Sequence, residues 1–417
     1  MDKDIDDLPR LARKITRTLF LAQSLSSAGF TAAATVSSIV GAELSGSKAL
    51  AGFPSTMYLL GAAFSAFGWG YGMDLFGRRG GVSLGLAIGV AGAAVSVVAI
   101  LNSSFWLLLV GATLIGVANA AMQLARFAAA EVHTLGQRGR AISNVVIGGT
   151  VGAVLGPLLI GPSGTWALGA RVDELAGPYA AAIGLLLLAS VLVFFGLRPD
   201  PKELGLQVAQ EAAADTVTYM SVRPVALILR QPAAALAVLS MIVGQMVMVM
   251  LMVITALFMR DHNHPLSAIS FVISSHTIGM YAFSIASGRM TDRLGRGPVI
   301  AIGATTLLIA SMLARVSPEV IPLALALFLL GLGWNFCYVG GSSLLADQLA
   351  PEERARTQGI NDFLIGLVSA LGSFGSGIVF ASVGYETMGL VGAAASLALL
   401  LAAFNWLRLQ PRPLAAS

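Results

Sequence analysis

The chain has 417 residues, of which 56% are hydrophobic and 11% charged, and its mean hydropathy is +0.82. A water-soluble protein cannot hide that much apolar surface, so lipid is the expected solvent. A formal charge of +4 without aromatic-interleaved basic patches excludes a nucleic-acid footprint, and the single cysteine, Cys337, excludes an intrachain disulfide or a cysteine metal cluster.

Residues 1–17 carry Asp2, Asp4, Asp6 and Asp7, then Arg10, Arg13, Lys14 and Arg17. That is unlike the short basic flank of a cleavable leader, and the segment is expected to be a retained cytoplasmic tail. Apolar runs follow near 16–41, 49–73, 82–101, 105–130, 141–162 and 177–197. A second group lies near 234–259, 267–290, 298–316, 319–346, 359–382 and 385–407. Each is long enough to cross about 30 Å of hydrocarbon as a helix, and none alternates in the short pieces of a barrel strand. Between the groups, residues 198–233 form a long polar connection. The predicted organisation is an all-α membrane protein of twelve transmembrane helices, 1–197 and 234–417, joined by a cytoplasmic linker at 198–233.

Lysine and arginine set the direction. With the amino terminus inside, only Lys48, Arg171, Arg260 and Arg315 fall outside, whereas Arg78, Arg79, Arg138, Arg140, Arg198, Lys202, Arg223, Arg230, Arg293, Arg296, Arg354, Arg356, Arg408 and Arg412 fall inside. Both termini are expected to be cytoplasmic, in a bacterial inner membrane.

The halves repeat. Gly70-Tyr-Gly-Met-Asp74-Leu-Phe-Gly77-Arg78-Arg79, between spans two and three, returns 218 residues later as Gly288-Arg-Met-Thr-Asp292-Arg293-Leu-Gly295-Arg296. Glu131 with Arg138 and Arg140 returns 216 residues later as Asp347 with Arg354 and Arg356. The loop resembles the G-x-x-x-D-R-x-G-R-R signature of the major facilitator superfamily, complete in the second half and with Leu75 replacing a basic residue in the first. The resemblance covers essentially the whole chain. It implies two six-helix bundles about an axis along the membrane normal, rocking around a central cavity, and loops that latch the halves on the cytoplasmic side. The residues themselves fit a gate. A carboxylate at a helix end accepts from an arginine or a helix N-terminus, and glycine permits the tight turn. A topological turn without gating is the alternative.

No Asp or Glu falls near a membrane midplane: Glu43 lies at the outer end of span one and Asp362 near the inner end of span eleven. A carboxylate proton relay therefore has little support. Arg126 lies inside a span, about 7.5 Å of helix rise from Glu131. It is placed either to meet an anionic substrate or the gate, or to snorkel to nearby headgroups.

Spans seven and eight hold Met248-x-x-x-Met252 and His276-x-x-x-Met280. Counted from the outer ends, Met252 and His276 lie roughly 10–14 Å deep and Met248 and Met280 about 16–20 Å. Three thioethers and an imidazole suit Cu(I) rather than Mg or Ca. His262 and His264 stand on the outer loop, placed to capture metal. The spacing resembles the CcoA-type copper importers of the superfamily, which implies copper binding by Met248, Met252, His276 and Met280. Riboflavin carriers belong to the same branch. Packing remains the alternative, since span seven also carries Met241, Met246, Met250 and Met259.

Span five carries Gly148, Gly152, Gly156, Pro157 and Gly161, which resembles an antiporter motif and also suits close helix packing. Gln23, Asn119, Gln123, Gln245, Asn335 and Asn361 are candidates to line a cavity; Trp69, Trp106 and Trp334 are weaker ones. An enzyme is not expected: there is no P-loop, no H-E-x-x-H and no nucleophile–base set. The expected protein is a monomeric carrier in a lipid bilayer without cofactors or nucleic-acid partners. Its cargo is copper, riboflavin or another small organic solute, or a drug-type solute in export.

Overall fold

A computed structural model describes residues 8–212 and 223–409. Asp2, Asp4, Asp6 and Asp7 of the amino-terminal tail, linker residues 213–222 and Arg412 lie outside the described residues. Everything regular among the described residues is helical: α1 (Leu8–Ser45), α2 (Phe53–Leu101), α3 (Phe105–Glu131), α4 (Leu135–Leu158), α5 (Ile160–Gly169), α6 (Ala176–Gly196), α7 (Pro201–Ala212), α8 (Val225–Leu229), α9 (Pro232–Asp261), α10 (Leu266–Tyr281), α11 (Ser284–Leu294), α12 (Arg296–Leu313), α13 (Val320–Asp347) and α14 (Pro351–Leu409).

Two of these are double. α2 breaks at Gly77 (φ 75°, ψ 172°) and α14 at Gly384 (φ 77°, ψ 173°), backbone shapes that only glycine adopts cheaply. Conversely, α10 and α11 share one long apolar stretch, Leu266–Leu294. Counted so, the helices give the twelve membrane spans the sequence predicts. Large apolar side chains such as Leu188, Phe195, Leu371 and Leu401 stay more than half exposed on the outer faces. In water that would be an aggregation surface; against lipid it is the stable arrangement.

Two compact units divide the chain: Met1–Thr218 with His264–Ser270, and Tyr219–Asn263 with Phe271–Ser417. The division falls inside the linker, whose α7 belongs with the first unit. The short second piece of that unit packs on α4 and α5, where the Ser270 hydroxyl donates to the Pro157 carbonyl and Gly161 meets Ser267.

Bare backbone brings the helices together. A Cβ at Gly148 would lie 2.5 Å from the Phe20 carbonyl oxygen, and one at Gly152 would overlap that of Ser24. The glycine row of span five is thus the surface on which α4 seats against α1. The same device recurs with repeat symmetry. Gly61 rests on the Thr113 carbonyl and Gly116 on that of Tyr58; in the second unit Gly279 rests on Phe328 and Gly331 on His276. Cys337 is a packing residue too, buried between Gly244 and Gly303.

Candidate functional site

The break at Gly77 turns the chain so that Arg78 reaches back to the helix it has just left. Its Nη1 donates to Asp74 Oδ1 at 2.7 Å and to the Met73 carbonyl at 3.1 Å. Its Nη2 and Nε grip both oxygens of Glu131, at the end of α3, at 2.7 and 2.9 Å. The second unit repeats this: Arg296, after Gly295 (φ 91°), donates through Nη1 to the Thr291 carbonyl at 3.1 Å and through Nε to Asp347 at 2.9 Å. Asp292 lies 3.6 Å from its Nη1. Each clasp therefore ties three segments through one arginine in a fork geometry that lysine cannot supply.

The other basic candidates have different places. Glu131 is taken by Arg78, while Arg138 donates from Nε to the His133 carbonyl at 3.3 Å. Arg79 lies over the Phe194 ring at 5.5 Å. Arg140, Arg293, Arg354 and Arg356 are exposed.

Two partners of this region are not evident from the sequence. Asp200, one residue before α7, accepts from the backbone N–H of Arg78 at 3.1 Å, Arg79 at 3.0 Å and Lys202 at 2.9 Å. It caps the helix that starts after Gly77, while Lys202 Nζ donates to the Asp74 carbonyl at 2.7 Å. In the second unit Arg223 grips Glu353, at the start of α14, with Nε at 2.7 Å and Nη2 at 2.6 Å. The Glu353 side chain is 3% exposed and also accepts from the Ala350 N–H at 3.0 Å. These bonds, Arg223's first, hold its carboxyl down at about 2. Asp-Pro at the start of α7 and Ala-Pro-Glu-Glu at the start of α14 are the local cap signals for both.

Inside the spans, the proposed metal ligands are spread in burial. Met248 and His276 are buried, Met252 and Met280 half-buried. The imidazole turns to α13, where Nδ1 pairs with the Leu327 carbonyl at 2.9 Å. His276 is also the repeat mate of Tyr58, 218 residues earlier, and both offer their carbonyls to a glycine of the facing helix. That is a packing role, and because a carbonyl only accepts, Nδ1 is the donor. His276 Nε2 is buried with no hydrogen-bond partner among the described residues. Of the outer-loop histidines, His262 pairs Nδ1 with the Phe258 carbonyl at 2.8 Å, and His264 is half-buried.

Arg126 is half-buried, its Cζ over the Phe127 ring at 5.1 Å and its Nε without a hydrogen bond among the described residues. Asn119 is half-buried and Gln123 exposed. Asn335 is 2% exposed and serves the break in span eight. Its Nδ2 donates to the Met280 carbonyl at 2.6 Å and to Ser284 at 2.9 Å, and its Oδ1 accepts from Ser287. Gln245 has a different task. Its Oε1 accepts from the Trp334 indole at 2.7 Å and its Nε2 donates to Ser369 at 2.8 Å. Trp334 stacks on Tyr338 (centroids 5.0 Å, 21°) and meets Tyr281 edge-on (6.3 Å, 72°).

The duplicated clasps, the glycine seams and the twelve spans are features of a solute carrier, and comparison agrees. The family model of the Major Facilitator Superfamily matches residues 19–258 and 236–417. The MFS-type transporter YdeG of Bacillus subtilis (strain 168) is 36% identical over 94% of this chain and 92% of its own length. The riboflavin transporter RfnT of Brucella anthropi is 30% identical, over 90% of this chain and 92% of its own length. Among solved structures, the nucleoside transporter NupG superposes with a TM-score of 0.68 at 18% identity, covering 96% of this chain and all of that one. Twelve helices, a repeated arginine clasp and a match along nearly the whole sequence together place the chain in the major facilitator superfamily.

Proposed function

We propose that the chain is a carrier of the bacterial inner membrane, with both termini cytoplasmic, that takes up riboflavin or a closely related planar solute by alternating access. Transport rests on one observation above the rest: the same arginine clasp stands at the same place in both halves. Arg78 with Asp74 and Glu131, and Arg296 with Asp292 and Asp347, lie at helix ends on the side rich in basic loops. In a rocking carrier such clasps keep each loop rigid while the mouth beside it opens and closes. The riboflavin assignment is supported by the similarity to RfnT along nine-tenths of the chain.

Copper is a second reading, favoured by His276 Nε2, a buried nitrogen left without a hydrogen bond four residues from Met280. The Nδ1 bond to Leu327 fits either role, because a metal-bound imidazole also donates its other N–H to a carbonyl, so the preference for riboflavin rests on the similarity to RfnT. Proteoliposomes containing the protein, offered labelled riboflavin or copper in parallel, separate the two. Saturable riboflavin uptake above empty vesicles is expected, together with growth of a flavin auxotroph on trace riboflavin. Copper uptake without riboflavin uptake, lost in His276→Ala, would reverse the assignment.

A further inference from the structure

The glycine seams relate Gly116 to Gly331 and Thr113 to Phe328, an offset of 215 that relates Asn119 to Trp334. Asn119 is half-buried too, so this position is left partly uncovered in both halves. In the second half the same place carries the largest side chain available, and that ring is only half-buried although Leu330, Gly331, Gly333, Asn335, Phe336 and Cys337 around it are all buried.

The ring is also held more firmly than packing requires. Its N–H is taken by Gln245 of α9, which is itself fixed by Ser369 of α14, whose hydroxyl bonds back to the Ile365 carbonyl at 2.7 Å. One face lies on Tyr338 of α13 and one edge against Tyr281 of α10. Its partners thus come from spans seven, eight, ten and eleven of one unit, which places the indole inside the unit's helix cluster rather than on its lipid-facing outside. A glutamine placed among apolar spans would be disfavoured unless both ends of its amide were used. Here both are used, and the result is a single orientation of an aromatic plane.

From this geometry we infer that Trp334, oriented by Gln245 and flanked by Tyr281 and Tyr338, is a preset stacking platform for a planar nitrogen-heteroaromatic solute. The inference rests on the transport reading above and gives that solute its binding residues. An aromatic plane held in one rotamer binds a flat ring without losing side-chain freedom on contact, and stacking tolerates differences between rings that share a π-face. Trp334 is the contact residue; Gln245 is a positioning residue that acts through it.

The test uses the full-length protein in nanodiscs and proteoliposomes, with riboflavin, adenosine and ribose as probes. Removing a stacking aromatic weakens binding of a base by about ten- to a hundredfold. Trp334→Ala is expected to raise the apparent Kd and the uptake KM for riboflavin by that factor. Trp334→Phe keeps a ring but loses the Gln245 tether, and Gln245→Leu frees the indole; both are expected to fall between Trp334→Ala and the parent. Ribose, which has no ring to stack, is expected not to compete. A purely structural role would lower the melting temperature of the variants and leave the KM of the surviving protein unchanged, and that result would overturn the platform while leaving riboflavin transport standing. Binding of adenosine but not riboflavin, lost in Trp334→Ala, would retain the platform and discard the flavin assignment. Binding of neither heteroaromatic to the parent would overturn the platform.

Discussion

Gly77→Ala and its repeat mate Gly295→Ala isolate what the linker adds to the first clasp. Both glycines have positive φ, 75° and 91°, so either alanine meets backbone strain of about 1–3 kcal/mol. Their surroundings differ. A Cβ at Gly77 would overlap Asp200 Oδ2 and lie 3.0 Å from its Cγ, whereas at Gly295 the nearest atom is Pro298 Cδ at 3.8 Å. The alanine at 77 must therefore push the Asp200 carboxylate off the Arg78 and Arg79 N–H groups. Two such bonds, partly open to water, contribute about 2 kcal/mol together. Gly77→Ala is thus expected to destabilise by about 2 kcal/mol more than Gly295→Ala. In an Asp200→Ala background, where neither the bonds nor the overlap remain, that excess should vanish. SDS or thermal unfolding of the parent, the three single variants and the two glycine variants in the Asp200→Ala background, in one detergent, measures it. Equal losses at the two glycines, or additivity of Gly77→Ala and Asp200→Ala, would refute the idea that Asp200 clamps this loop.

Three further outcomes follow from named contacts. The Glu353 carboxyl sits at about 2, below its ordinary 4.5, so the stability it draws from Arg223 is complete above pH 4.5 and fades as pH falls toward 2. A pH series of melting temperatures should show that decline in the parent, and Glu353→Gln should flatten it. Arg78→Lys keeps the charge but loses the two-pronged grip on Glu131, and should slow uptake about tenfold with little change in riboflavin binding, the size expected for one charge-assisted hydrogen bond. Because His276 packs through Nδ1, His276→Asn should hold the Leu327 carbonyl and keep riboflavin uptake within about twofold; a complete loss at normal expression would give the imidazole a direct part in transport.

How much of this was legible in the residues depends on the range of each interaction. The spans follow from local apolar content, and the turns at Gly77 and Gly295 from glycine beside charged helix ends. Arg78 and Glu131 are both visible, yet the sequence pairs Glu131 more readily with Arg138 and Arg140, seven and nine residues away, than with an arginine 53 residues back. Asp200 reaches Arg78 across 122 residues and looks like an ordinary linker acid until the fold brings it home. The methionine–histidine set shows the same limit differently. Spacing of four places side chains on one helix face, but it does not say which neighbour that face meets, and His276 meets the backbone of α13. Trp334 stood out only as one of three weak cavity candidates, because its meaning depends on Gln245, 89 residues earlier.

Initial rates of labelled riboflavin entry into proteoliposomes, with excess unlabelled riboflavin or Cu(I) as competitor, test the central claim most directly. Saturable entry that unlabelled riboflavin suppresses and Cu(I) leaves unchanged is the predicted result. Entry no faster than into protein-free vesicles, from a preparation that melts cooperatively, would contradict it.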